Sequence, residues 1–141
     1  MSVRFVLLPL FVEVLLTFAV MFGMMYFRTS TLRRGETRVE DIALREPNWP
    51  VQATQFGYAY ANQFELPVLF YVLTILSIMT HHADLFYVLL AWVFVVLRLL
   101  QAGVHVTNNN VRIRGAFYGA GAIVLVVMWL TFIVRIILAL P

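Results

Sequence analysis

Four long apolar runs decide what this chain can become. They lie at about residues 5–27, 51–79, 85–106 and 115–140. Each is long enough to cross a hydrocarbon layer as a helix, which takes roughly 20 residues. Lipid offers backbone groups no hydrogen-bond partners, so each crossing segment must be helical. Of the 141 residues 62% are hydrophobic and only 12% charged, where a soluble domain carries about 25% charged residues. That excess cannot be hidden in one soluble core, which excludes a water-soluble globular enzyme. The expected fold is an all-α integral membrane protein, a four-transmembrane-helix antiparallel bundle forming one domain over residues 1–141. Short connections favour up-down neighbours. The first run is longer than the core of a signal peptide, about 7–15 residues, and is read as a retained span.

The ten basic residues are all arginine, and the chain has no cysteine. Lack of cysteine removes disulfides, thiolate nucleophiles and Cys-ligated metals. The arginines flank the apolar runs, which is the pattern of membrane topology rather than of nucleic-acid binding. The first and third connections carry Arg28, Arg33, Arg34, Arg38, Arg45, Arg112 and Arg114. The positive-inside rule puts both connections in the cytoplasm and both termini outside.

Polar residues within the spans are expensive in lipid and therefore face the bundle. The second run holds Gln55, Tyr58, Asn62 and Glu65, spaced three, four and three apart, hence on one helix face. The third run holds Arg98, Gln101 and His105, a second stripe of the same kind. Glu65 lies 17 residues before His82 and Arg98 lies 16 after it. Equal rise per residue then predicts a Glu65–Arg98 pair, Asn62 near Gln101, and Tyr58 near His105. Both stripes run toward the end where Arg112 and Arg114 stand. Pro67, two residues after Glu65, frees a backbone carbonyl and predicts a kink. Glu13 in the first span is expected to pair with Arg135 in the fourth. Gly103, Gly115, Gly119 and Gly121 are read as points of close helix approach. His81 and His82 sit in a turn without further ligands, so no metal is expected. Two readings of the stripes stand side by side: a structural polar seam, or a cationic pocket for a small anion, which arginine's planar fork suits.

The stretch Asn62-Gln63-Phe64-Glu65-Leu66-Pro67-Val68-Leu69-Phe70-Tyr71 resembles the second-helix signature of the MAPEG family, the membrane-associated proteins in eicosanoid and glutathione metabolism. Ala91-Trp92-Val93-Phe94-Val95-Val96-Leu97-Arg98 and the following His105-Val106-Thr107-Asn108-Asn109-Asn110-Val111 resemble its third helix. The likeness covers essentially the whole chain and is greatest to small bacterial members. It implies a left-handed four-helix protomer, a homotrimer in a bacterial inner membrane, and glutathione bound between protomers near the cytoplasmic face. On the matching positions Asn62, Glu65 and Arg98 would hold glutathione, together with Gln101, His105 and Tyr58. Arg112 or Arg114 would stabilise the thiolate, since a nearby cation lowers a thiol's pKa. Tyr58 stands where transferase members carry an arginine, and His105 roughly where they carry a tyrosine. The resemblance thus implies a glutathione-dependent transferase or peroxidase acting on a lipophilic small molecule. The alternative is a non-catalytic membrane trimer that binds lipid or a small ligand, or an accessory subunit of a membrane complex.

Overall fold

The computed structural model describes residues 1–141 and contains only helices and turns. The elements are α1 (Val3–Arg33), a 3-10 turn at Val39–Asp41, α2 (Val51–Asn62), α3 (Leu66–Met79), α4 (Leu85–Val106) and α5 (Val111–Ile137). Four helical stretches are long and apolar enough to cross a membrane, α2 and α3 together forming the second. The first span is longer than the apolar run alone: 31 residues, or roughly 46 Å of helix. Its surplus carries Arg28 and Arg33 beyond the apolar layer. Gly35, at φ +73°, ends it. The N–H groups of Gly35 and Glu36 turn back to the carbonyls of Leu32 and Thr31, a left-handed cap that glycine adopts without steric cost. The fourth helix begins at Val111, earlier than the apolar run, because the Asn110 side chain accepts from the N–H groups of Arg112 and Ile113.

The first connection is tied back onto the bundle. The Thr37 hydroxyl donates to the Asn48 carbonyl, and the Arg28 guanidinium lies 5.1 Å from the Trp49 ring centroid. This end of the molecule, with both arginine-bearing connections, is called the basic end below. The opposite, hairpin end holds the Thr80–Asp84 turn, the start of α1 and the end of α5.

The second apolar run is not one bent helix. After Asn62 the chain tightens into i→i−3 hydrogen bonds, from Gln63, Phe64 and Glu65 to Tyr60, Ala61 and Asn62. Glu65 leaves the helical region at ψ −106° before α3 begins with Pro67 in its first turn. Proline has no N–H to continue the ladder, and the N-terminal turn of a new helix is where that costs least. The expected kink is a full break, and the polar stripe falls on it.

The core is aliphatic and aromatic. Val6 of α1, Phe70 and Leu73 of α3, Ala91, Phe94 and Val95 of α4, and Leu125 and Met128 of α5 are buried together. Phe70 and Phe94 meet with ring centroids 5.0 Å apart. The outer surface carries many exposed large apolar side chains, among them Phe11, Leu15, Phe18, Leu89 and Ile123. Such a continuous apolar coat belongs in lipid. Of the four glycines read as contact points, only Gly121 meets a neighbouring helix, where an added Cβ would make ordinary contact with Phe94 and Leu97. Gly103, Gly115 and Gly119 face open space. The close approach is at Gly23, where a Cβ would overlap the Phe56 ring of α2.

The hairpin end is clasped by charge. Asp84 caps α4 by accepting from the Tyr87 N–H at 3.0 Å, and Arg135 of α5 pairs with it at 2.8 Å. His82 Nε2 donates to the Leu140 carbonyl at 2.9 Å. The expected Glu13–Arg135 pair does not form. Glu13 lies ten residues into α1, about 15 Å deep, whereas Arg135 lies two residues from the end of α5. Their depths do not match, and Asp84 is at hand. Partial burial raises the Asp84 carboxyl, but the Arg135 hydrogen bond, the Tyr87 N–H and the charge of Arg135 outweigh it and leave it below the usual carboxylate range. A carboxyl lowered on folding contributes stability that is complete above about pH 4 and is lost as pH falls through the folded value. Asp84→Asn retains a cap but not the charge. It should unfold earlier at neutral pH by about 1 kcal/mol or less, and the gap should narrow in acid as pH falls through the lowered folded value. Thermal unfolding in detergent at neutral and acid pH measures this, and a gap that persists in acid would place the effect elsewhere than in the charge.

Candidate functional site

The second polar stripe, on α4, meets the helix break. Arg98 is 1% exposed. One guanidinium nitrogen donates to the Gln101 side-chain oxygen at 2.6 Å, and another donates to the Asn62 carbonyl at 2.9 Å. That carbonyl stands at the end of α2, where the break leaves it free of a normal helical partner. The Arg98 guanidinium carbon also sits 5.8 Å from the centroid of the Tyr118 ring of α5, in range for a cation–π contact. The Glu65–Arg98 pair is not present within the chain. The depth count treated α2 and α3 as one helix. The break turns Glu65 outward to an exposed position and presents the backbone of Asn62 to Arg98 instead.

In front of this buried arginine lies a groove of about 410 Å³, within the range of small-molecule sites. Tyr58, Asn62 and Glu65 line one side, Gln101 and His105 of α4 form the floor, and Arg114, Gly115 and Tyr118 of α5 form the other side. The Asn62 amide reaches His105 Nδ1 at 3.4 Å, which assigns the ring proton to Nε2. That Nε2 is buried and has no partner. Tyr58 lies over His105 with ring centroids 6.4 Å apart, the neighbours that the spacing predicted. Arg114 is held from behind by Asn109, whose side-chain oxygen accepts at 2.6 Å. Asn109 itself adopts φ +52°, which asparagine tolerates better than most residues.

Of the residues singled out in the sequence, Tyr58, Asn62, Glu65, Gln101, His105 and Arg114 therefore share one groove. Arg98 does not line it; it supports the wall from behind through Asn62, Gln101 and Tyr118. Arg112 is exposed and lies outside it, because the Asn110 cap starts α5 in a register that turns Arg114 inward. Tyr118 was not foreseen. Its spacing of four from Arg114 puts both on one face of α5 and was the available signal. The groove carries one arginine and one carboxylate, flanked by neutral donors and acceptors, so it can meet a ligand with charges of both signs.

A lipid-embedded bundle of four helical spans with a mixed-charge groove at one end defines a class of integral membrane proteins. The chain belongs to the MAPEG family, whose family model matches residues 6–134. No curated protein and no solved structure matches the chain.

Because Arg98 carries the groove wall, Arg98→Leu should strip the Asn62 carbonyl and the Gln101 side chain of a donor in a dry interior. Removing one member of a buried charged network costs on the order of 3–5 kcal/mol. The expected outcome is a large fall in unfolding temperature in detergent, and no change would show that the arginine carries little of the wall.

Proposed function

We propose that the protein is a glutathione-dependent membrane enzyme of the transferase or peroxidase kind, with the groove as its glutathione site. The observation that carries this is the convergence of Tyr58, Asn62, Glu65, Gln101, His105, Arg114 and Tyr118 on one groove of about 410 Å³. Glutathione is a tripeptide with an ammonium group and two carboxylates. Glu65 suits the ammonium, and Arg114 suits an anionic group through charge-assisted hydrogen bonds. Asn62 and Gln101 add neutral partners for peptide groups. Bound glutathione would supply a thiol nucleophile. Arg114 would favour its thiolate, because a cation beside a thiol stabilises the ionised form. A lipophilic electrophile would approach from the surrounding bilayer.

The groove is open on the side that carries Glu65 and Tyr58. An exposed carboxylate within an apolar span needs cover. We propose that a neighbouring copy supplies it, in the homotrimer that the family resemblance implies. The basic end would face the cytoplasm by the positive-inside rule.

Titrating glutathione into the detergent-solubilised protein tests the reading, with the analogue that has alanine in place of cysteine as control. Both should bind, and only glutathione should develop thiolate absorbance in the ultraviolet. Arg114→Ala should lose that absorbance and turnover by a factor of ten or more, about 1.4 kcal/mol, with binding weakened less. Arg112→Ala should behave as the unsubstituted protein. Equal effects of the two substitutions would refute the assignment of Arg114. No binding at millimolar glutathione would refute the site as a whole. Chemical cross-linking in the membrane should give a trimer ladder, and a protein that stays monomeric would leave Glu65 without its proposed cover.

A further inference from the structure

We propose that Glu13 is a positioning residue for the groove, acting through Arg98, and that it takes up a proton when an anion binds there. The inference rests on the groove being an anion site. Glu13 lies on α1, 0% exposed, and neither of its oxygens has a hydrogen-bond partner. Arg98 lies at a similar depth, thirteen residues into α4 against ten into α1. Its Nε is likewise buried and unused. The two stand too far apart for a direct ion pair. Even so, α1 and α4 pack directly against each other, which sets the two buried, unpartnered groups on helices in contact at one depth. From α3, Tyr71 feels both of them. From the groove side, Glu65 and Tyr118 act on Arg98. The gap between Glu13 and the Arg98 Nε has polar groups on both sides, the setting in which a bridging water is favoured.

Arg98 therefore answers to two faces. Toward the groove it holds Asn62, Gln101 and Tyr118; toward α1 it is the proposed counter-charge of Glu13. An anion in the groove places a second negative charge against the same guanidinium. In a low-dielectric interior two negative charges sharing one positive charge are costly. The balance is restored by a proton from hydronium or a buffer acid: one O–H bond forms on the Glu13 carboxylate, and the donor's bond to that proton breaks. Linkage makes the effect reciprocal: a neutral side chain at position 13 strengthens anion binding by the factor by which the anion favours protonation.

Two measurements on the full chain decide this. The first needs no ligand: a double-mutant cycle of unfolding temperature with Glu13→Gln, Arg98→Gln and the pair. Coupled residues should give a double variant that loses less than the sum of the singles, and additive losses would overturn the proposal. The second is calorimetric titration of the glutathione analogue with alanine in place of cysteine, which has no thiol proton to release, in buffers of different ionisation heat, across pH 6 to 9. The unsubstituted protein should take up a fraction of a proton per analogue bound. Glu13→Gln should take up none and bind about fivefold tighter or more. Unchanged uptake in Glu13→Gln would overturn the proposal with the groove intact. If the unsubstituted protein gives no binding heat, the groove reading and proton uptake fall together, while the cycle still decides whether Glu13 answers to Arg98.

Discussion

A guanidinium buried in a lipid-embedded bundle has to be satisfied from within the bundle, since lipid offers it nothing. Arg98 meets that demand from three helices: the carbonyl that ends α2, a glutamine one turn on in α4 and an aromatic face from α5. Each of these partners is costly in lipid by itself. The break after Asn62 would leave a backbone carbonyl short of a donor, and Gln101 would hold an unpaired amide oxygen. Gathered around one cation they offset one another. The same gathering pulls α2, α4 and α5 into the spacing that leaves a groove in front of them.

The groove belongs to residues beside the arginine rather than to the arginine itself. Arg98 is spent on structure, and the cation that reaches open space is Arg114, braced by Asn109 from the α4–α5 connection. This division matters chemically. A guanidinium whose two terminal nitrogens are held by the protein fixes geometry, whereas one with donors facing a groove can stabilise a charge that develops on a ligand. His105 plays an intermediate part, with one ring nitrogen held by Asn62 and the other unpartnered.

Much of this arrangement was legible in the sequence, for definite reasons. Apolar length gave four helical spans, because lipid permits nothing else. Helical spacing put Tyr58, Asn62 and Glu65 on one face, and counting from the hairpin brought Tyr58 to His105. The misreadings share a cause. Depth counting treats each span as an unbroken rod and says nothing of which rods touch. The break at Glu65 defeated the first assumption, so a backbone carbonyl replaced a carboxylate as the partner of Arg98. The second hid the neighbour of Glu13, since α1 packs against α2, α3 and α4. The register of α5 depended on one capping asparagine, which separated Arg114 from Arg112 and brought Tyr118 into the wall.

The order of residues along the chain adds a consequence for how such a bundle is made. A helix carrying a central arginine enters a bilayer at a penalty of about 2.5–3.5 kcal/mol. Synthesis runs from the amino terminus, so Glu13 and the open carbonyl of Asn62 emerge before Arg98 does. The third span, α4, thus arrives at a membrane already holding the carbonyl that meets its charge and the acid proposed to answer it, and Gln101 travels with it three residues behind. Insertion of the costliest span is eased by the spans made earlier, and biogenesis and the finished architecture draw on the same contacts.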